Sequence, residues 1–172
     1  MLLTFKNLNR FLVLSFAAII LAACTTTPQD TASTSSSSSS ASKVEVVDGV
    51  YVGTDTVEML AVDVPDRVFF AYDSYSLTSA AQATLAKQAK WLKANGSVTI
   101  AIEGHADERG TREYNLALGD RRANAAKDYL MTQGISANRI TTISFGKERP
   151  VNSASNNKAW AQNRRSVTVR TN

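Results

Sequence analysis

The chain has 172 residues, 44% apolar and 20% charged, with a formal net charge of +4. That length suits one modest domain plus appendages. One cysteine excludes an internal disulfide, and one histidine excludes the paired histidines of an H-x-x-x-H zinc set.

Residues 1–23 stand apart from the rest. Lys6 and Arg10 precede "FLVLSFAAIILAA", an apolar run too short for a comfortable membrane span. The run ends in Leu21-Ala22-Ala23-Cys24, which resembles the lipobox of exported bacterial lipoproteins. The resemblance implies removal of residues 1–23 and acylation of Cys24, with Thr25, in place of Asp, directing the product to the outer membrane. Each acyl chain contributes about 0.8 kcal/mol per buried methylene, and more than one makes a stable anchor. The alternative is a free thiol at the end of an uncleaved helix. After Cys24, "TTTPQDTASTSSSSSSAS" cannot build a core, so residues 24–42 are expected to be a disordered tether. Fully stretched, such a segment reaches about 60 Å.

Residues 43–64 form a lead-in with short β-like pieces, and the firm domain is expected at 65–172. A first strand is expected over 66–72, then a loop at Asp73-Ser74-Tyr75-Ser76. Ser79 and Gln82 have capping-box spacing and open a helix to about Asn95, with Ala81, Leu85, Ala89 and Leu92 on one stripe. "SVTIAI" at 97–102 alternates as a strand. A second helix is expected from Thr111 to Gln133, stopping at Gly134. A strand follows over 140–144, a short helix over 156–162, and a closing strand over 166–170. This β-α-β-α-β-(α)-β order predicts an α/β two-layer sandwich with helices on one sheet face.

Charge is unevenly spread. Residues 43–108 hold five Lys/Arg against ten Asp/Glu, whereas residues 109–172 hold twelve against four. A basic half invites a nucleic-acid reading. An exported lipoprotein seldom meets nucleic acid, and the basic half lacks the aromatic interleaving of a single-strand binder. An anionic wall polymer or an acidic protein surface fits better.

At 100° steps, Tyr114, Leu118, Ala125, Ala126, Tyr129 and Leu130 of the second helix form an apolar face. Asn115 and Arg122 intrude on it, two turns apart. A half-buried guanidinium needs an anion, since unpaired it costs several kcal/mol. Asp107, on the loop entering the helix, is the candidate. Two readings stay open. One is a structural Asp107–Arg122 bridge. The other is a split pair facing a ligand with both charges, its carboxylate on Arg122, its ammonium on Asp107, and Asn115 adding hydrogen bonds. Catalysis is disfavoured. There is no G-x-S-x-G motif or P-loop, and Glu103 with Asp107 is a weak imitation of a glycosidase pair. No cofactor and no metal is expected, and His105 reads as a loop residue.

"GHADERGTREYNLALGDRRANAAKDYL" resembles the signature of the OmpA-like C-terminal domain family. "VFFAYDSYSL", "SFGKERPV" and "NRRSVTV" resemble its branch of peptidoglycan-associated lipoproteins. The resemblance spans about residues 66–170. It implies a noncatalytic domain that binds the stem peptide of peptidoglycan. The family's two diaminopimelate-holding residues match Asp107 and Arg122. Phe70, Tyr72, Asp73, His105, Ala106, Asn115 and Leu118 match positions around the site. Asn163, Arg164 and Arg165 match a terminal N-R-R of mixed role, and Arg109 matches a loop position. Arg112 stands where many relatives have proline. The resemblance further implies outer-membrane attachment through lipid on Cys24 and a role with the periplasmic TolB and other Tol proteins in envelope integrity and division. A wall-binding lipoprotein without a Tol role is the alternative.

Overall fold

The computed structural model describes residues 45–172. The expected leader at 1–23, Cys24 and the tether at 24–42 lie outside the described residues.

The lead-in forms two small hairpins. β1 (Val46–Val47) pairs antiparallel with β2 (Val50–Tyr51) across Asp48-Gly49. Both turn residues have positive φ, 48° and 76°, as a two-residue hairpin turn requires. β3 (Met59–Ala61) pairs with β4 (Val64–Pro65). β5 (Arg67–Phe69) ends earlier than residue 72: the Phe70 N–H still reaches the Arg164 carbonyl in register, but the Arg164 N–H turns back to the Trp160 carbonyl, which stops the pairing.

α1 (Ser79–Ala94) is capped by Thr78, one residue before the expected start, whose Oγ1 accepts from the Ala81 N–H at 3.2 Å. Its stripe Ala81, Leu85, Ala89 and Leu92 is buried. β6 (Ile100–His105) begins three residues later than 97, because the Val98 N–H closes a turn onto the Asn95 carbonyl. α2 (Arg112–Thr132) is capped by Thr111 and followed by Gly134 at φ 86°. β7 (Ile140–Gly146), α3 (Asn157–Asn163, capped by Asn156) and β8 (Arg165–Arg170) complete the chain.

The main sheet has the order β5-β8-β6-β7. β6 and β7 are parallel, joined through α2, and the other pairs are antiparallel. α1 and α2 cover one face, and α3 packs on β2. This is the expected α/β two-layer sandwich. Phe70, Leu85, Leu92, Ile102, Ala123, Ala126 and Leu130, none more than 2% exposed, form the core between the layers. Each large aliphatic there contributes about 1.5–3 kcal/mol.

The buried face of α2 is Asn115, Leu118, Gly119, Arg122, Ala123, Ala126 and Leu130. Tyr114, expected on that face, is 45% exposed. Asn115 and Arg122 therefore lie along the middle of the buried stripe. Glycine sets how closely α2 approaches β6. A Cβ on Gly104 would overlap the Gly119 carbonyl, and one on Gly119 would overlap Ser144 Oγ.

Candidate functional site

Three loops and one helix meet at the end of the sheet. Residues 70–78 connect β5 to α1, residues 106–111 connect β6 to α2, and residue 164 joins α3 to β8. They enclose a pocket of about 190 Å³. Tyr72, Asp73, Asp107, Arg109, Tyr114, Asn115, Leu118, Arg122 and Arg164 line it.

Arg122 anchors the floor and is fully buried. Its Nε donates to the Ser74 carbonyl at 2.8 Å, Nη1 to the His105 carbonyl at 2.8 Å, and Nη2 to the Ala71 carbonyl at 3.2 Å. The guanidinium thus ties both loops to α2 and leaves two of its five N–H groups uncommitted. Its carbon sits 5.3 Å from the Phe70 ring centroid. Burial, and then the charge of Arg164, lower its pKa to about 10.

Asp107 is not bridged to Arg122. Its Oδ1 accepts from the Arg109 N–H at 3.1 Å and Arg109 Nε at 3.2 Å. Its Oδ2 accepts from Arg109 Nη2 at 2.7 Å and Arg164 Nη1 at 3.0 Å. These four donors fill the usual acceptor capacity of a carboxylate. Burial pushes the carboxyl up, but the hydrogen bonds from Arg109 and Arg164 outweigh it and hold the pKa below the ordinary aspartate value. The bare split pair expected from sequence is corrected in this respect. The two residues do line one pocket unbridged, yet Asp107 already carries two arginines.

Arg164 is buried. It also donates to the Phe70 carbonyl at 3.1 Å and the Gly49 carbonyl at 2.5 Å, tying the β1–β2 hairpin to the site. The Arg109 side chain is one-third exposed. Its guanidinium lies between the Tyr72 and Trp160 rings, at 4.1 and 4.3 Å from their centroids. Asp73 has φ 51°, a conformation that ordinary side chains disfavour, and its carboxylate accepts from the Tyr114 hydroxyl. Asn115 Nδ2 donates to the Arg109 carbonyl at 2.9 Å and the Thr111 carbonyl at 3.1 Å, so it braces the loop.

Seven of the sequence-derived site residues line the pocket: Tyr72, Asp73, Asp107, Asn115, Leu118, Arg122 and Arg164. Phe70, His105 and Ala106, also expected at the site, are not among the lining residues. Phe70 is fully buried in the core and Ala106 is 2% exposed. His105 continues the alternation of Ala101 and Glu103, so its ring lies on the sheet face away from the helices, with only its carbonyl serving Arg122. The sequence reading missed Tyr114 and Trp160. Tyr114 is expected on the apolar face of the second helix, not at a binding pocket. Trp160 sits on α3, 52 positions from Glu108, to which its Nε1 donates at 2.8 Å.

Among the described residues, no helix is long and apolar enough to cross a membrane, and no cluster of His, Cys, Asp and Glu could hold a metal ion. The model of the OmpA family matches residues 69–164. The chain is 58% identical over 108 residues to a protein of Rhizobium meliloti named peptidoglycan-associated lipoprotein, covering 63% of this chain and 61% of that one. It is 56% identical over 108 residues to the protein of the same name from Mesorhizobium japonicum, covering 63% and 64%. The chain thus matches a little over six-tenths of these relatives' length. The crystal structure of the peptidoglycan-associated lipoprotein from Burkholderia pseudomallei superposes with a TM-score of 0.60 at 42% identity, covering 62% of this chain and 90% of that one. The C-terminal domain of Helicobacter pylori MotB, 18% identical with a TM-score of 0.58, shares the fold. With the match extending over more than half its length and over every loop that builds the pocket, the chain belongs to the OmpA family.

Proposed function

We propose that this chain is a noncatalytic wall-binding lipoprotein whose pocket takes the free end of meso-diaminopimelate in the peptidoglycan stem peptide. That end carries an ammonium and a carboxylate on one carbon. The observation that carries the reading is a buried arginine and a loop aspartate lining one small pocket without neutralising each other. The two uncommitted N–H groups of Arg122 suit a carboxylate. Asp107, with Asp73 beside it, suits the ammonium. The ammonium would take the place of Arg109, the more exposed of Asp107's two arginine partners. The relatives' name, peptidoglycan-associated lipoprotein, supports peptidoglycan as the larger ligand.

The rest of the reading extends from this grip. Acyl chains on Cys24 would hold one end in the outer membrane, and residues 25–42 would span to the wall. TolB and the other Tol proteins would engage the same domain and couple it to envelope integrity and division. Binding would be reversible and noncovalent: among the described residues no cysteine, serine, threonine or lysine lines the pocket. Co-sedimentation with purified sacculi tests the wall reading: wild type should pellet with them and release no soluble fragments. Released muropeptides would make the chain a wall-cleaving enzyme instead. A pull-down with TolB separates the Tol reading from a generic wall-binding lipoprotein.

A further inference from the structure

The sheet face opposite α1 and α2 carries a second constellation. A cleft of about 470 Å³ runs between the β3–β4 hairpin, represented by Met59 and Leu60, and the loop at Arg149-Pro150-Val151. Its floor comes from β6 and β8, with Glu103, His105, Arg165 and Val167. Four arginines, Arg67, Arg149, Arg165 and Arg170, line it. Three carboxylates face them. Asp66 takes Arg67 in a two-point pair at 2.8 and 2.6 Å, and Glu58 adds a contact at 3.4 Å, so two of the three are spent on one arginine. Glu103 alone remains against Arg149, Arg165 and Arg170.

Arg165 is the unusual member. It is 6% exposed, and no carboxylate lies within ion-pair distance of it among the described residues. Among the described residues its Nη atoms reach only backbone carbonyls, of Asn163 at 3.4 Å and Arg149 at 3.2 Å, and its buried Nε–H has no partner. Among the described residues Arg149 has no carboxylate partner either; its guanidinium lies 3.8 Å from the Phe145 ring centroid. His105 stacks on the same Phe145, with ring centroids 5.5 Å apart. Its Nε2 lies 3.4 Å from Glu103, and neither ring nitrogen makes a hydrogen bond of good geometry, although the Arg149 backbone is near enough to favour the protonated ring slightly. Burial, then Arg165, Arg67 and Arg149, hold its pKa at about 3. The ring is therefore a neutral donor in a cationic cleft. Glu103 and Asp66 attract Arg165 from a distance, yet burial and then Arg67 still pull its pKa down to about 10, and a bound anion in contact would offset that cost.

We propose that this cleft is a second binding site, in which Arg149 and Arg165 take an oxyanion group, a carboxylate or a phosphate, carried by a ligand other than the one in the Arg122 pocket. The site is independent of the wall reading. Its two arginines and the His105 ring lie outside the residues that line that pocket.

His105 is the chain's only histidine, so its ring resonances report on the cleft without ambiguity. The full-length protein is titrated with inorganic phosphate and, separately, with acetate, against sodium chloride at matched ionic strength. We expect saturable shifts of the His105 ring and Arg165 Nε–H signals, with affinity at least tenfold weaker in Arg149→Gln and in Arg165→Gln. Saturation by phosphate alone assigns a phosphate-bearing ligand, and saturation by acetate assigns a carboxylate. Shifts no larger than those from chloride overturn the proposal, as does unchanged affinity in Arg149→Gln. That variant changes an exposed side chain, so it decides the matter even if Arg165→Gln fails to fold.

Discussion

Replacing Arg122 with alanine perturbs the fold as well as the pocket. The side chain donates charged hydrogen bonds to three carbonyls, on Ala71, Ser74 and His105. Each such bond is worth about 1.5–3 kcal/mol. Two effects offset the loss. The guanidinium no longer has to be desolvated, and water entering from the adjoining pocket rehydrates part of what was exposed. The net cost of breaking a buried charged network is about 3–5 kcal/mol. For a domain of this size that lowers Tm by roughly 10–20 °C. Thermal unfolding followed by circular dichroism measures it, with sacculus co-sedimentation at a temperature where the variant is still folded. Arg122→Lys keeps the charge without the fork and should fall between wild type and alanine in stability. A Tm within about 3 °C of wild type for Arg122→Ala would refute the clamp, leaving Arg122 as a ligand contact alone.

If the ligand ammonium displaces Arg109 from Asp107, Arg109→Gln removes a competitor worth about 1 kcal/mol and should tighten stem-peptide binding severalfold in calorimetry; weaker binding would make Arg109 a ligand contact. His105 has a folded pKa near 3 against about 6.5 unfolded, so the unfolded chain binds the extra proton between those values and stability falls as pH drops through that window. Urea midpoints at pH 7 and pH 5 should show this as a loss on the order of 1 kcal/mol per pH unit, absent in His105→Asn. Asp107 has a depressed pKa, so its contribution is complete above its ordinary value of 3.8 and is lost only below it; Asp107→Asn should flatten the stability profile there and not near neutrality. Gly104→Ala should cost at least about 3 kcal/mol, because the new Cβ meets the Gly119 backbone, which cannot swing aside.

Local signals carried most of the fold. Thr111, Asn156 and Gly134 bound their helices through capping and a left-handed residue, both properties of a few adjacent residues. Strand bounds were poorer. The end of β5 and the start of β6 depend on where single N–H groups find carbonyls, Arg164 on Trp160 and Val98 on Asn95, and the first of these lies too far along the chain for any pattern near β5 to encode it. The phase of α2 was nearly legible. Asn115 and Arg122 marked the buried stripe, but the assumption that apolar residues define the core pulled it toward Tyr114. In the site, the Asp107 loop and Arg122 emerged from helix geometry, and the alternation of β6 would have turned the His105 ring away from them. The double arginine on Asp107 was not legible, since Arg164 arrives from 57 residues away. Trp160 was hidden for the same reason.

Under the proposed function, one pocket would read both charges at the end of diaminopimelate. The most direct measurement is a calorimetric titration with two stem peptides that differ only at this residue, one with meso-diaminopimelate and one with lysine. Lysine keeps the ammonium and lacks the carboxylate. The account predicts saturable binding of the diaminopimelate peptide and at least a hundredfold weaker binding of the lysine peptide, a gap of about 2.7 kcal/mol. Equal affinity for the two would contradict it, because Arg122 would then read nothing.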